Sequence, residues 1–266
     1  MIDAGANLCH ESFRHDYPAL LERAWAAGLE HIVITGSSRD SNRAAAALAA
    51  ADPARLSSTA GVHPHHASEW SEDDAACIRE LAAVGQIVSL GECGLDYCRN
   101  FSPPADQRQA FAAQLALAVE LKLPMFLHQR DASGDFLAML REHRAQLAAL
   151  CVHCFTDTRE VLDDCLALDC HIGITGWVCD VKRGAALRTV VPGIPRERLL
   201  IESDAPYLLP HNLPKAELPR DRRRNEPALL VYVALALAEL RGEEAADLGR
   251  YTTANARRFF GIAAAA

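Results

Sequence analysis

Residues 87–96 read Ile87-Val88-Ser89-Leu90-Gly91-Glu92-Cys93-Gly94-Leu95-Asp96. The apolar start, Ile87 to Leu90, has the composition of a buried strand. The strand is expected to break at Gly91, where two glycines flank the carboxylate of Glu92. A glycine beside an acid at a strand end lets backbone or ligand approach closely. The same pattern recurs along the chain: apolar runs end in His63 (TAGVHP), His128 (MFLH), His153 (LCVHC) and Asp204 (LLIESD). Strands that repeatedly end in metal-type side chains imply delivery of those side chains to one place.

Working outward, β-rich runs fall at 1–8, 31–36, 56–64, from 87, 124–130, 150–155, 171–178 and 199–207. Helical patterns alternate with them at 18–28, 40–51, 72–84, 104–121, 135–149, 158–168 and 187–191, and two more follow at 226–240 and 243–260. Strands separated by helices pair in parallel through crossovers. Eight such units in 266 residues point to an α/β fold of the (β/α)8 TIM-barrel class, with residues 1–266 as one domain. An open doubly wound sheet is the competing arrangement. It lacks support from a dinucleotide fingerprint: the GSSRDS after the second strand has neither the second nor the third glycine.

A formal charge of −8 gives no bulk attraction to nucleic acid or acidic lipid, so any phosphate contact must be local. The start MIDAGANL carries an acid where a secretory signal would be basic and then apolar. The longest apolar run, 228–238, is too short to span a bilayer and reads as a buried helix. The chain therefore reads as cytoplasmic, without a membrane partner. Its nine scattered cysteines read as free thiols. Cys151 and Cys154 form a C-x-x-C pair, but on a strand they face opposite ways and no second pair accompanies them.

In a barrel, residues at the C-terminal ends of strands point into the active-site face. Glu92, His128, His153 and Asp204 would converge there, and two imidazoles with two carboxylates can bind a divalent cation. Such an ion lowers the pKa of water and shields a phosphate or carbonyl oxygen. Asp3 is either a further ligand or the residue that orders the first strand. His65 and His66 read as loop residues. Tyr97, Phe101, Trp177 and Tyr207 follow strand ends and are candidates either for stacking on bases or for packing. Arg220, Arg222, Arg223 and Arg224 make the densest positive run, either a solvated cluster or a phosphate path.

The blocks GVHPH, GECGLDY, FLHQRD, VHCFT, GITGWVCD, ESDAPYLLP and RRNEP, in this order, resemble those of the TatD family of metal-dependent deoxyribonucleases. The resemblance covers residues 2–262. The start DAGANL and the GITGWVC block bring it nearest to the branch that gives the family its name. It implies an amidohydrolase-like barrel and metal-dependent hydrolysis of DNA phosphodiesters. For this branch it implies a 3′-5′ exonuclease on single-stranded DNA, with a role in DNA repair or turnover; the sequence leaves RNA open as a further substrate.

By that resemblance Glu92, His128 and His153 match metal ligands. Asp204 matches the acid that orients or deprotonates the attacking water and also touches metal, and Glu92 is the best candidate to bridge two ions. His63, Arg130, Arg224 and Asn225 match contacts to the substrate phosphate or its surroundings. Many relatives carry two histidines where this chain has Gly5 and Asn7, which weakens one metal position. The family association favours Mg2+, whereas imidazole ligands favour Mn2+ or Zn2+. The competing readings are a metal-dependent hydrolase of another ester or amide, such as a D-aminoacyl-tRNA deacylase, and a barrel retained for binding. No strand-end lysine of the carbamylated amidohydrolase type is present. Nothing in the pattern demands more than a monomer.

Overall fold

A computed structural model describes residues 1–218 and 223–263. Arg220 and Arg222 of the basic run lie outside the described residues. The strands are β1 (Ile2–Ala6), β2 (His31–Ile34), β3 (Leu56–Ala60), β4 (Ser89–Asp96), β5 (Met125–Arg130), β6 (Leu150–Val152), β7 (Cys170–Ile174) and β8 (Leu199–Ile201). The helices are α1 (Tyr17–Ala26), α2 (Arg39–Ala51), α3 (Glu72–Ala83), α4 (Pro104–Leu121), α5 (Ser133–His143), α6 (Arg159–Ala167), α7 (Ala185–Val190), α8 (Leu230–Arg241) and α9 (Ala245–Phe260). The strands form one sheet in the order β1 to β8. The β3–β4, β4–β5, β5–β6 and β7–β8 pairs are parallel. β1 lies beside β8: Asp204 N donates to Gly5 O at 2.9 Å, and Asn7 N to Ala205 O at 2.8 Å. Sequential parallel strands with helical crossovers and the first beside the last are the order of a (β/α)8 barrel.

The chain divides into two compact units. One comprises Ile34–His153 and Glu160–His171. Its strands are almost wholly buried and packed under the buried sides of α2, α3, α4 and α5, of which α4 alone is not amphipathic. Ser38 starts α2 with a reciprocal capping box to Ser41, and Ser71 does the same for α3 with Asp74. The rings of Phe111 and Phe136 stack at 5.6 Å in this core.

The other unit comprises Met1–Val33, Cys154–Arg159 and the described residues from Ile172 onward. Asn255 of α9 donates to the carbonyls of Arg196 and Leu199 at 2.7 and 2.8 Å, fastening the helix to the start of β8. The apolar run of α8 is buried around most of its circumference, as its composition requires. No helix among the described residues is long and apolar enough to cross a membrane.

The expected break at Gly91 is corrected: β4 continues through Gly91 to Asp96. Its register against β5 shifts between Leu90 and Cys93. Gly91 and Gly94, with φ of 140° and 142°, let the strand kink there without losing its partners. β6 and β8 are shorter than their apolar runs, so His153 and Asp204 stand on the turns that follow.

Candidate metal centre

The centre in the first unit is built around one carboxylate oxygen. Glu92 Oε1 lies 2.9 Å from His128 Nδ1, 2.8 Å from His153 Nε2 and 3.2 Å from His63 Nε2. Backbone bonds fix each bearer: Glu92 N to Gly36 O at 2.7 Å, His63 N to Ser37 O at 2.9 Å, and His153 N to Leu127 O at 2.9 Å. Close backbone approach is part of the design. A methyl group at Gly61 would meet Gly91 Cα at 2.7 Å, and one at Gly91 would meet Phe126 O at 2.1 Å.

Burial opposes charge on Glu92, but His63, His153 and His128 outweigh it and hold the carboxyl well below its ordinary range. For His63 burial wins, and its pKa falls to about 4, so the ring is neutral near pH 7. His63 Nδ1 also accepts the His65 amide at 3.1 Å. A neutral ring accepting at Nδ1 carries its proton on Nε2, which makes His63 a donor toward Glu92. His63, Glu92 and His128 all offer ligand atoms within 4.8 Å of one another. The His65 amide nevertheless favours His63 as a hydrogen-bond donor.

His128 Nδ1 and His153 Nε2 stand 3.4 Å apart, both against the same ionised oxygen. Two facing ring nitrogens and a carboxylate are a donor set for a divalent cation, and the residues present fit one. Behind them, His128 Nε2 lies 3.4 Å from Asp96 Oδ2 and makes no hydrogen bond among the described residues. Asp96 is buried and accepts from His65 Nε2 at 2.9 Å and from the amides of Cys98 and Arg99. Burial works against charge on His128, and Asp96 and Glu92 outweigh it, raising its pKa. A carboxylate behind a ligating histidine orients the ring and raises its basicity.

Sequence reasoning missed Asp96 and set His65 aside as a loop residue. The available signal was the two-residue strand period, which puts Glu92, Gly94 and Asp96 on one face. The same period places Arg130 on the face of His128, half-buried at the end of β5.

Asp204 belongs to the second cluster, in the other unit. It follows β8 with φ of 52°, and Asn7 Nδ2 donates to its Oδ1 at 2.8 Å. Asn7 therefore presents its amide nitrogen to an acid. Asp3 is fully buried and orders this seam: its Oδ1 accepts Ser203 N at 2.8 Å and Gly5 N at 3.3 Å. Burial raises its pKa to about 7. Asn225 holds the same turn by donating to Ser203 O at 2.8 Å. Arg224 grips Asp16 with two bonds of 2.8 and 2.7 Å and the Ser12 carbonyl at 2.7 Å.

The fold and the Glu92 cluster define a (β/α)8 protein with a site suited to a divalent cation. The family model described as TatD related DNase matches residues 2–261. The chain is 50% identical over 264 residues to a protein of Pectobacterium atrosepticum named 3′-5′ ssDNA/RNA exonuclease TatD, covering 99% of this chain and all of that one. A solved TatD-family hydrolase from Entamoeba histolytica superposes with a TM-score of 0.88 at 25% identity, covering 99% of this chain and 98% of that one. A TatD homologue from Escherichia coli gives 0.89 at 24% identity over the same shares, a likeness of fold. The chain belongs to the TatD related DNase family.

Proposed function

We propose that this protein is a metal-dependent 3′-5′ exonuclease hydrolysing phosphodiesters of single-stranded DNA and RNA. The observation that carries the reading is the convergence of His128 and His153 on Glu92 Oε1. The half-identical relative of that name, matched end to end, supports the same activity. Residues 1–266 are read as one catalytic domain, cytosolic and monomeric, acting in DNA repair or turnover.

Glu92, His128 and His153 are the proposed ligands of the ion, with Asp204 as a further ligand. Mg2+ is the first candidate, ahead of Mn2+ and Zn2+. When bound, a divalent ion acidifies water and shields charge on phosphoryl oxygens. Asp204 takes the proton of the attacking water, held in orientation by Asn7. The water oxygen bonds phosphorus as the bond to the leaving oxygen breaks, and that oxygen collects a proton. His63 turns its Nε2–H from Glu92 to a phosphoryl oxygen when substrate is bound, support for charge that develops in the transition state. Arg130 offers its guanidinium to the phosphate. Asn225 serves the same site by holding the turn after β8, and Arg224 secures the segment before α8 to Asp16 and the Ser12 carbonyl.

The test is digestion of 3′- and 5′-labelled single-stranded DNA with Mg2+, Mn2+ or EDTA, by wild type and Glu92→Ala. Stepwise loss from the 3′ end, abolished by EDTA and at least 1000-fold slower in Glu92→Ala, is expected, since metal and oriented groups supply most of the rate. A folded wild-type protein inert with every metal would sink the reading, and aminoacyl-tRNA would be the next substrate.

A further inference from the structure

Four aromatic side chains follow strand ends, and their environments differ. The Tyr97 hydroxyl donates to Asp135 at 2.7 Å. Trp177 carries the Arg183 guanidinium over its ring at 4.9 Å. Tyr207 sets its ring edge-on to His10 at 5.6 Å. Phe101 is 69% exposed, yet its ring stands 4.7 Å from that of His65, edge-on at 78°. His65 in turn lies 4.2 Å from the ring of His63 and 2.9 Å from Asp96. An apolar ring in water therefore adjoins the histidines of the metal centre.

The segment that bears Phe101 is pinned on both sides. Asp96 Oδ1 accepts the amides of Cys98 and Arg99 at 3.0 and 2.8 Å. Ser102 Oγ donates to His65 O at 3.0 Å and accepts Ser68 N at 3.1 Å. Gln107, fully buried, donates to Ser102 O at 2.8 Å. A loop fixed this firmly could have turned Phe101 inward; instead it presents the ring to solvent. A rigid, exposed aromatic beside a polar catalytic cluster suits a ligand with an apolar face and a charged link.

We propose that Phe101 is a stacking platform for a nucleobase flanking the scissile phosphodiester. This rests on the exonuclease reading and deepens it. The polar cluster takes the phosphate and Phe101 takes the base. A phenyl ring has no hydrogen-bonding group with which to read base identity, so every base stacks on it. The platform serves stepwise digestion of any sequence.

The test uses single-stranded oligodeoxynucleotides, intact or with one abasic site at the terminal or penultimate 3′ nucleotide. Wild type, Phe101→Ala and Phe101→Trp are compared. Wild type is expected to cut the intact strand about tenfold more efficiently than one of the abasic strands, mainly through KM, in line with base–aromatic stacking. Phe101→Ala should lose most of that advantage and Phe101→Trp should keep it. Retention of the full advantage by Phe101→Ala, or its absence in an active wild type, would overturn the platform alone. No metal-dependent cleavage by wild type would overturn the exonuclease reading and the platform with it.

Discussion

A methyl group at position 94 would sit 1.9 Å from the carbonyl oxygen of His128, on a backbone whose φ is 142°. Neither the clash nor the dihedral can be relieved without moving β4 off β5. Gly94→Ala is therefore expected to cost several kcal/mol in urea unfolding, or to abolish folding. Gly134, with open space where its Cβ would be, is the control. Gly134→Ala in α5 should be neutral or gain about 0.5–1 kcal/mol. The residues at the centre were legible in unequal measure. Glu92, His128 and His153 each end or follow an apolar run, so strand and ligand announce themselves together. The Asp96–His65 pair is not of that kind. Its members are 31 residues apart, and only the packing of the segment after β3 against the end of β4 makes them partners. The proton position on His63 was hidden for a similar reason, since it depends on a backbone amide two residues away.

Among the elements, α1 and the segment before α8 are joined by charge. Asp16, just before α1, accepts two bonds from Arg224 and one of 3.0 Å from Arg23, while Arg23 also holds Glu226 at 2.7 Å. The Arg224 guanidinium lies over the Phe13 ring as well. Hydrogen bonding to Arg224, with Arg23 adding to it against a smaller cost of burial, lowers the Asp16 pKa from 3.8 to about 2. A depressed acid stabilises the fold above its unfolded pKa and ceases to do so as pH falls through its folded value. Asp16→Asn should thus cost about 1 kcal/mol at neutral pH, after allowance for solvent screening. The cost should shrink between about pH 4 and pH 2, which urea midpoints across that range would show. A cost that stayed constant with pH would mean that Asp16 acts by packing. Element identity and order were readable because apolar runs alternate with amphipathic ones. Their ends were less so: sequence alone stopped β4 at the glycine where the structure bends it, and extended β8 over a turn that Asp3 and Asn225 hold.

For the molecule as a whole, the Glu92 centre couples ligand to fold. A buried carboxylate crowded by three imidazoles is a local excess of polar groups, which a bound cation would neutralise. A ligand that binds only the folded state adds stability as RT ln(1 + [L]/Kd), about 2.7 kcal/mol at one hundred times Kd. Saturating Mn2+ should accordingly raise the thermal midpoint of wild type by several degrees, and Glu92→Ala should show no such rise in the same scan. The seam between β1 and β8 has a consequence in time. The partners of Asp3 and Asn7 lie 200 and 197 residues further along the chain. At a synthesis rate of roughly 5–20 residues per second, the first strand emerges about 10–40 s before the residues that fasten it. Only in the last part of that interval, roughly 2–7 s by the same rate, is the unit bearing the histidines complete, at residue 171, while Asp204 has yet to be made. A newborn chain thus has every residue of its histidine cluster before it has Asp204, and on the proposed mechanism its capacity to cut nucleic acid waits for that acid.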